Sequence, residues 1–237
     1  MIEVKNLFKS FGKNLVLNNI NIKIDQSKIT IIAGPNSSGK TTLIKSILGL
    51  VNIDKGDIFV NEENNRNSTI YREKIGYMPQ IGRYPDNQSI RDVLDMIKDL
   101  RGIKQIDKED ELISIFGLEE HITKKMSTLS GGTRQKVSAV LALMFEPDIL
   151  ILDEPTTGLD PVSASKIKEI IIEEKNKGKT VIIISHIMSE VEELADKLIF
   201  LLDGEIKFQN TVIKILEQTN EKSLEKAIAK LISLNKL

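Results

Sequence analysis

The chain has 237 residues, with 33 Lys and Arg against 34 Asp and Glu, no cysteine, and two histidines, His121 and His186. That length can bury one sizeable α/β core, and balanced charge gives no field that would draw the chain onto nucleic acid. Lack of cysteine excludes disulfides, iron–sulfur clusters and thiolate zinc sites, and two histidines leave little for a protein-built transition-metal site.

The amino-terminal stretch "MIEVKNLFKSFGKN" has too short an apolar run, broken by charge, to read as a secretory signal. The longest apolar runs, such as Val181 to Ile184, fall far short of the roughly 20 residues of a membrane span. The expectation is a soluble, cytoplasmic chain that meets a membrane only through a partner. Alternation of apolar and polar residues on both sides of Lys9-Ser10-Phe11-Gly12-Lys13 predicts two antiparallel strands with one wet face. "KITIIAG", Lys28 to Gly34, is a buried strand ending in glycine, and the spacing of "KTTLIKSILGL" suits a helix.

Between that strand and helix lies "GPNSSGKT", Gly34 to Thr41, which satisfies G-x-x-x-x-G-K-[ST] in the setting its mechanism requires. Gly34 and Gly39 let the backbone curl, so that N–H groups along Asn36, Ser37 and Ser38 point inward at phosphate oxygens, reinforced by the helix dipole. Lys40 would reach the β and γ phosphates. Thr41 would offer its hydroxyl to magnesium, and Thr42 would add a phosphate contact. A purely structural turn is the other use of such a loop.

"GDIFV" and "KIGYMPQ" continue as strands, and from Ile81 to Phe145 the texture is helical. Ser89 and Asp92 stand in capping positions of "SIRDVLDMIKDLRG", and Gly117 closes "KEDELISIFG". Within this block "LSGGTRQK", Leu129 to Lys136, opens a helix with Ser130, Gly131 and Gly132. Alone it would be a capped turn. Its bare glycines also leave N–H groups open to an anion, about ninety residues beyond the first phosphate loop.

"ILILDEP", Ile149 to Pro155, is a buried strand with Asp153 at its carboxyl end, where open α/β sheets bind ligands. Asp153 suits magnesium as a hard oxygen ligand, and Glu154 is placed to polarise an attacking water. Ordinary surface acids capping a strand are the plain alternative. Asp160 before Pro161 is an ideal helix cap, a helix follows from Val162 to Lys177, and "KTVIIISH" is again a strand. "IFLLDGEIKF" predicts a hairpin through Asp203-Gly204. Leu224, Ala227, Ile228, Leu231 and Ile232 form one helical stripe within Glu221 to Leu237, read as packing or else as a partner contact. The fold expected is α/β: a P-loop NTPase with a RecA-like parallel sheet core, an antiparallel β subdomain and an inserted helical subdomain. In boundaries this is one domain over 1–237, with core and antiparallel part at 1–80 and 147–212, helices at 81–146 and a carboxyl-terminal helix at 213–237.

Gly34 to Thr42, Gln80, Leu129 to Lys136, Asp153-Glu154, Asp160 and His186 resemble, in order and spacing, the motifs of the ATP-binding cassette family, from Phe11 to about Phe208. The resemblance implies a head-to-tail dimer sandwiching two ATP molecules, each between Lys40 of one copy and Ser130-Gly131-Gly132 of the other. It puts Phe11 where the family stacks an aromatic on adenine, core filling being the other use of that ring. It makes Gln80 a magnesium and water contact, Asp160 a cross-dimer contact as well as a cap, and His186 a γ-phosphate contact, with His121 an ordinary surface residue. Ser37-Ser38 departs from the commoner Gly-Ala or Gly-Ser.

The resemblance further implies the ATPase subunit of a transporter, peripheral on the inner face of the cell membrane, whose separate membrane subunits dock after Gln80 with Ile81 and Tyr84 as anchors. "LSGGTRQKVS" and "FLLDGEIKF" look most like the ATPase of the copper-related transporter that matures nitrous oxide reductase. A soluble cassette ATPase acting on DNA or ribosomes is the rival class, disfavoured by balanced charge and by the lack of a second cassette or a long coiled coil.

Overall fold

The computed structural model describes residues 1–234. The two amino-terminal strands form as the alternation predicts. β1 (Ile2–Phe11) and β2 (Asn14–Ile24) pair antiparallel, turn at Gly12-Lys13, and continue through β4 (Lys55–Val60) and β5 (Glu63–Asn64) in a sheet of order β2-β1-β4-β5. The second sheet contains β3 (Ile29–Ala33), β6 (Ile75–Met78), β7 (Ile149–Asp153), β8 (Thr180–Ile184), β9 (Lys197–Leu202) and β10 (Glu205–Asn210), in the order β10-β9-β3-β8-β7-β6. Five strands run parallel and β10 closes one edge antiparallel to β9, through the predicted hairpin at Asp203 (φ 50) and Gly204 (φ 75).

Strands β3, β7 and β8 are buried along their whole length because both faces of the sheet are covered. Successive residues divide between two cores with a period of two. Ile32, Ile151, Ile182 and Ile184 face the antiparallel sheet and Leu43, Ile44 and Ile47 of helix α1 (Lys40–Ile47). Ile31, Leu150, Leu152, Val181 and Ile183 face the larger cluster built with the remaining helices.

Between β6 and β7 lie α2 (Ile90–Leu100), α3 (Lys108–Ile115) and α4 (Gly131–Leu143). Ser89 and Asp92 form the expected reciprocal cap of α2, and Gly117 (φ 62) follows α3. This region is less uniformly helical than its texture suggests: 81–89 and 101–107 are connecting loops, and short 3₁₀ turns occupy 119–121 and 126–128. α5 (Pro161–Asn176) and α6 (Met188–Leu194) follow β7 and β8.

The carboxyl-terminal stretch is not one helix over 213–237. α7 (Val212–Thr219) stops at Asn220, which takes the left-handed conformation (φ 55), and α8 (Leu224–Leu234) begins after it. Leu224, Ala227 and Ile228 are buried in the larger core and Leu231 and Ile232 pack at its edge, so the stripe is packing. Residues 235–237 of the expected helix lie outside the described residues. Among the described residues no helix is long and apolar enough to cross a membrane.

Candidate active site

The loop between β3 and α1 is built as the glycine pattern demands. A Cβ on Gly34 would fall 2.0 Å from the carbonyl oxygen of Leu201, and one on Gly39 (φ 106) 2.8 Å from Leu17 Cδ2 and 2.9 Å from the Val16 carbonyl oxygen. The loop therefore lies flat against the sheet edge and β2, with α1 opening directly from it. Lys40, almost fully buried, folds back so that Nζ donates to the carbonyl oxygens of Gly34 at 2.7 Å and Pro35 at 2.8 Å. Burial lowers the pKa of this ammonium, and the charges of Glu154 and Asp153 oppose that shift. Ser37 takes a positive φ of 66 within the loop, a conformation that a side chain adopts at a cost.

A cleft of about 500 Å³ opens over this loop. Asn36, Ser37, Gly39, Lys40, Thr41 and Thr42 line one side, and Gln80, Asp153 and Glu154 the other. Nine of the residues singled out by sequence thus meet at one place. Asn14, Val16 and Ile184, which sequence reasoning did not single out, complete the wall. Gly34 and Ser38 are buried on the inner side of the loop and are not part of the cleft lining, and the Ser38 hydroxyl has no hydrogen-bond partner.

Asp153 ends β7 beside Ile184 of β8 and is buried. Its pKa is pushed up to about 6, chiefly by burial and then by the neighbouring Glu154 carboxylate, with Lys40 and Lys45 pulling the other way. Such a group is ready to accept a cation that would repay its lost hydration. Among the described residues no cluster of three His, Cys, Asp or Glu could hold a metal alone. Thr41 hydroxyl, Gln80 amide and Asp153 carboxylate supply hard oxygens only, a set that suits magnesium sharing its shell with phosphate and water.

Glu154 has a left-handed backbone (φ 50), fixed by its N–H donating to Ile184 O at 2.9 Å and its carbonyl accepting from Gln135 Nε2 at 3.3 Å. Strain of this kind, of order 1–3 kcal/mol, gathers at functional sites. It turns the carboxylate back over the cleft, where Gln80 Nε2 donates to Oε2 at 3.0 Å and His186 Nδ1 lies 2.8 Å from Oε1. His186 therefore touches Glu154 directly. His121 sits on a 3₁₀ turn with Nδ1 2.7 Å from Lys124 Nζ, remote from the cleft lining, as expected of a surface residue.

The remaining sequence-selected residues stand outside the cleft. Phe11 is 52% exposed, which removes the core-filling reading; Lys9 Nζ lies 4.9 Å from its ring centroid, and its strand partner Asn14 lines the cleft. Ser130 caps α4, accepting from Thr133 N at 3.1 Å, and Gly131 is exposed with open space where a Cβ would go. A Cβ on Gly132 would meet Gly158 O at 2.8 Å, so glycine there lets α4 approach the turn after β7. Asp160 caps α5 through Ser163 and lies 3.5 Å from Lys136 Nζ of α4. Those hydrogen bonds from Ser163, and then Lys136, hold its carboxyl near a pKa of about 2.

Ile81 is exposed (70%), but Tyr84 is not the exposed anchor its sequence position suggests. Its ring packs on the larger core and its hydroxyl is 2.9 Å from Ser138 Oγ of α4, because the loop after Gln80 folds back over that helix. Gln135, which touches the Glu154 backbone, was also missed; a polar residue on the buried side of "GGTRQKVSAV" was the available signal.

A family model described as ABC transporter matches residues 17–157, more than half of the chain. The chain belongs to the ABC transporter family. Within it, the lantibiotic transport ATP-binding protein SrtF of Streptococcus pyogenes is 36% identical over 87% of this chain and 89% of its own length. The solved ATP-binding subunit of an ABC transporter superposes with a TM-score of 0.90 at 28% identity, over 98% of this chain and 99% of that one. A dimeric ATP-binding cassette in a post-hydrolysis state, bound to ADP and Pi, superposes with a TM-score of 0.80 at 25% identity, over 90% and 99%. A second family model, an AAA domain of the AbiEii toxin class, matches the shorter stretch 123–192, from before α4 to α6. As a member of the ABC transporter family this chain binds and hydrolyses ATP, through the P-loop NTPase fold described above.

Proposed function

We propose that two copies of this chain close head to tail around two ATP molecules and that closure drives separate membrane subunits. The observation that carries the reading is a division of labour. The loop around Lys40, with Asp153, Glu154 and Gln80, forms one cleft, whereas Ser130 and Gly131, both exposed, and the half-buried Gly132 are not part of its lining. That the cassette this chain resembles is dimeric with ADP and Pi bound supports a pairing of two copies.

In this reading Lys40 and the loop amides hold the β and γ phosphates, Thr42 adds a contact, and Phe11 packs on adenine. Thr41, Gln80 and Asp153 would hold magnesium, which supplies charge neutralisation between the phosphates. Glu154 takes the proton of the attacking water as its oxygen bonds to the γ-phosphorus and the bond to the β-phosphate oxygen breaks, leaving ADP and phosphate. His186, on the other side of Glu154, meets the γ-phosphate, and Asp160 carries the cross-dimer contact while capping α5. Glu154→Gln is expected to cut turnover by about 10² to 10⁴, the usual worth of a general base, with ATP still bound, and Lys40→Ala to abolish binding. Unchanged turnover in the first, or retained affinity in the second, contradicts these roles.

The working place of such a subunit is the inner face of the cell membrane, peripheral and on the cytoplasmic side. Ile81, exposed beside Gln80, is the anchor for the membrane partner; Tyr84 supports it from within the fold. Pull-down from membranes is expected to recover integral membrane proteins, and a wholly soluble catch contradicts the partner. The cargo is chosen by those subunits. A copper-related role in nitrous oxide reductase maturation has only the likeness of "LSGGTRQKVS" and "FLLDGEIKF" behind it. The relative SrtF is named for lantibiotic transport, which favours a lantibiotic-like cargo over a copper-related one.

A further inference from the structure

Four residues past His186, Glu190 on α6 is buried (5% exposed). One of its carboxylate oxygens accepts the Thr156 hydroxyl, and the other accepts Ser185 Oγ at 2.8 Å. Ser185 Oγ in turn accepts the Ile187 backbone N–H at 3.1 Å. Among the described residues Glu190 has no cation beside it, so a buried carboxylate is satisfied by two hydroxyls alone. A carboxylate is an expensive group to place there for packing.

The two hydroxyls belong to the loops that leave adjacent strands. Thr156 lies two residues beyond Glu154, in a turn closed by Thr157 N to Glu154 O at 3.2 Å and Leu159 N to Thr156 O at 3.2 Å, which delivers Asp160 to the start of α5. Ser185 directly precedes His186, and its N–H donates to Ile32 O of β3 at 3.4 Å. A single side chain therefore clamps the loop that carries Glu154 and Asp160 to the loop that carries His186.

We propose that Glu190 is a positioning residue for ATP hydrolysis: by holding Thr156 and Ser185 together it fixes His186 and the Thr156–Asp160 turn at one spacing about Glu154. Movement of the turn that faces the second copy is thereby passed to His186. The inference rests on the roles given above to Glu154, His186 and Asp160. A carboxylate suits the task because it accepts from both hydroxyls at once, leaving Ser185 Oγ free to accept from Ile187.

Steady-state ATPase assays on the full chain, with ATP titrations and melting curves, separate this from a role in stability. Glu190→Leu is expected to lower kcat by about tenfold to a hundredfold, the scale of misplacing a catalytic group by an ångström or less, and to reduce cooperativity in ATP. Ser185→Ala, which frees only the His186 side, is expected to lower kcat with KM unchanged. Thr156→Val, which frees only the turn toward the partner copy, is expected to reduce cooperativity and raise the protein concentration needed for activity. Glu190→Gln is expected to restore function, since its amide keeps one acceptor and gives the Thr156 hydroxyl a donor. If Glu190→Leu fails to fold, the two single-arm variants still decide the matter. Unchanged kcat and cooperativity in Glu190→Leu or in both single-arm variants, or a loss that follows melting temperature alone, overturns the proposal. Loss of turnover in Glu154→Gln beside normal turnover in Glu190→Leu sinks this inference only; full turnover in Glu154→Gln sinks the reading of the site and this inference with it.

Discussion

Asp153 and Ser37 both stand at a disadvantage that the ligand-free fold has to absorb. The Asp153 carboxyl has a folded pKa of about 6 against an ordinary 3.8, so the folded chain holds its proton more tightly than the unfolded chain does. Stability from this group is greatest below about 3.8, falls as pH rises through about 6, and stays low above it. Asp153→Asn is therefore expected to stabilise the nucleotide-free chain at pH 7.5 by on the order of 2 kcal/mol, with the gain vanishing toward pH 4, while hydrolysis is lost. Urea unfolding at the two pH values measures this, and a destabilised variant at pH 7.5 contradicts it. Ser37→Gly removes a Cβ from a left-handed position (φ 66). Relief of that contact, less the added freedom of glycine in the unfolded chain, is expected to raise stability by a few tenths to about 1 kcal/mol. A lower urea midpoint would mean that the serine side chain supports the loop. Lys40, Thr41, Asp153 and Glu154 were legible in the sequence because their chemistry is local: strand, turn and helix start are adjacent along the chain. The roles of Gln135 and Glu190 were not, since each acts on a loop distant in sequence: Gln135 stands inside LSGGTRQK but reaches the Glu154 backbone, and Glu190 reaches Thr156.

Helix ends and hairpins were legible for the same reason of locality. The Ser89 and Asp92 cap and the Asp203-Gly204 turn are decided by neighbouring residues, and both form as read. Tyr84 and the break between α7 and α8 were decided by packing: α4 offers Ser138 to the tyrosine hydroxyl, and Asn220 lets the chain turn so that both helices reach the same core. The seat of α3 on the core also went unread. Lys108 at its start lies 2.7 Å from Glu174 of α5, a buried carboxylate that Lys177, at 2.9 Å, and Lys179 also reach. Burial opposes ionisation of Glu174, yet hydrogen bonds from these lysines dominate and hold its pKa at about 2. A depressed carboxylate gives stability that is full above its ordinary 4.5 and is lost as pH falls through about 2. Glu174→Gln is expected to cost on the order of 2 kcal/mol at pH 7, allowing for the water that reaches the lysines, with the deficit shrinking as pH falls from about 4.5 toward 2. A deficit independent of pH would place its origin in packing.

At the scale of the molecule, two sheets and a set of helices hold the cleft rigidly on one side while leaving the start of α4 exposed on another. The parallel sheet puts the Lys40 loop after β3 and Asp153 at the end of β7 at the same edge, with β8 between them delivering His186. Helices α2 to α4, set between β6 and β7 in sequence, place Ser130 to Gly132 outside the cleft lining, with Gly132 against Gly158 in the turn after β7. The fold class was legible because unmixed apolar strands alternating with helices admit few arrangements. The pairing of copies was not, since nothing within one chain fixes it. In the proposed pairing each ATP is gripped by the Lys40 loop of one copy and the Ser130 to Gly132 amides of the other. Light scattering of Glu154→Gln with ATP in the absence of magnesium tests it directly, together with a second variant that also carries Gly131→Trp. A dimer of two 26.6 kDa chains is expected for Glu154→Gln, and a monomer once the tryptophan covers the amides. A monomer in the first case, or a dimer indifferent to the tryptophan, would contradict it.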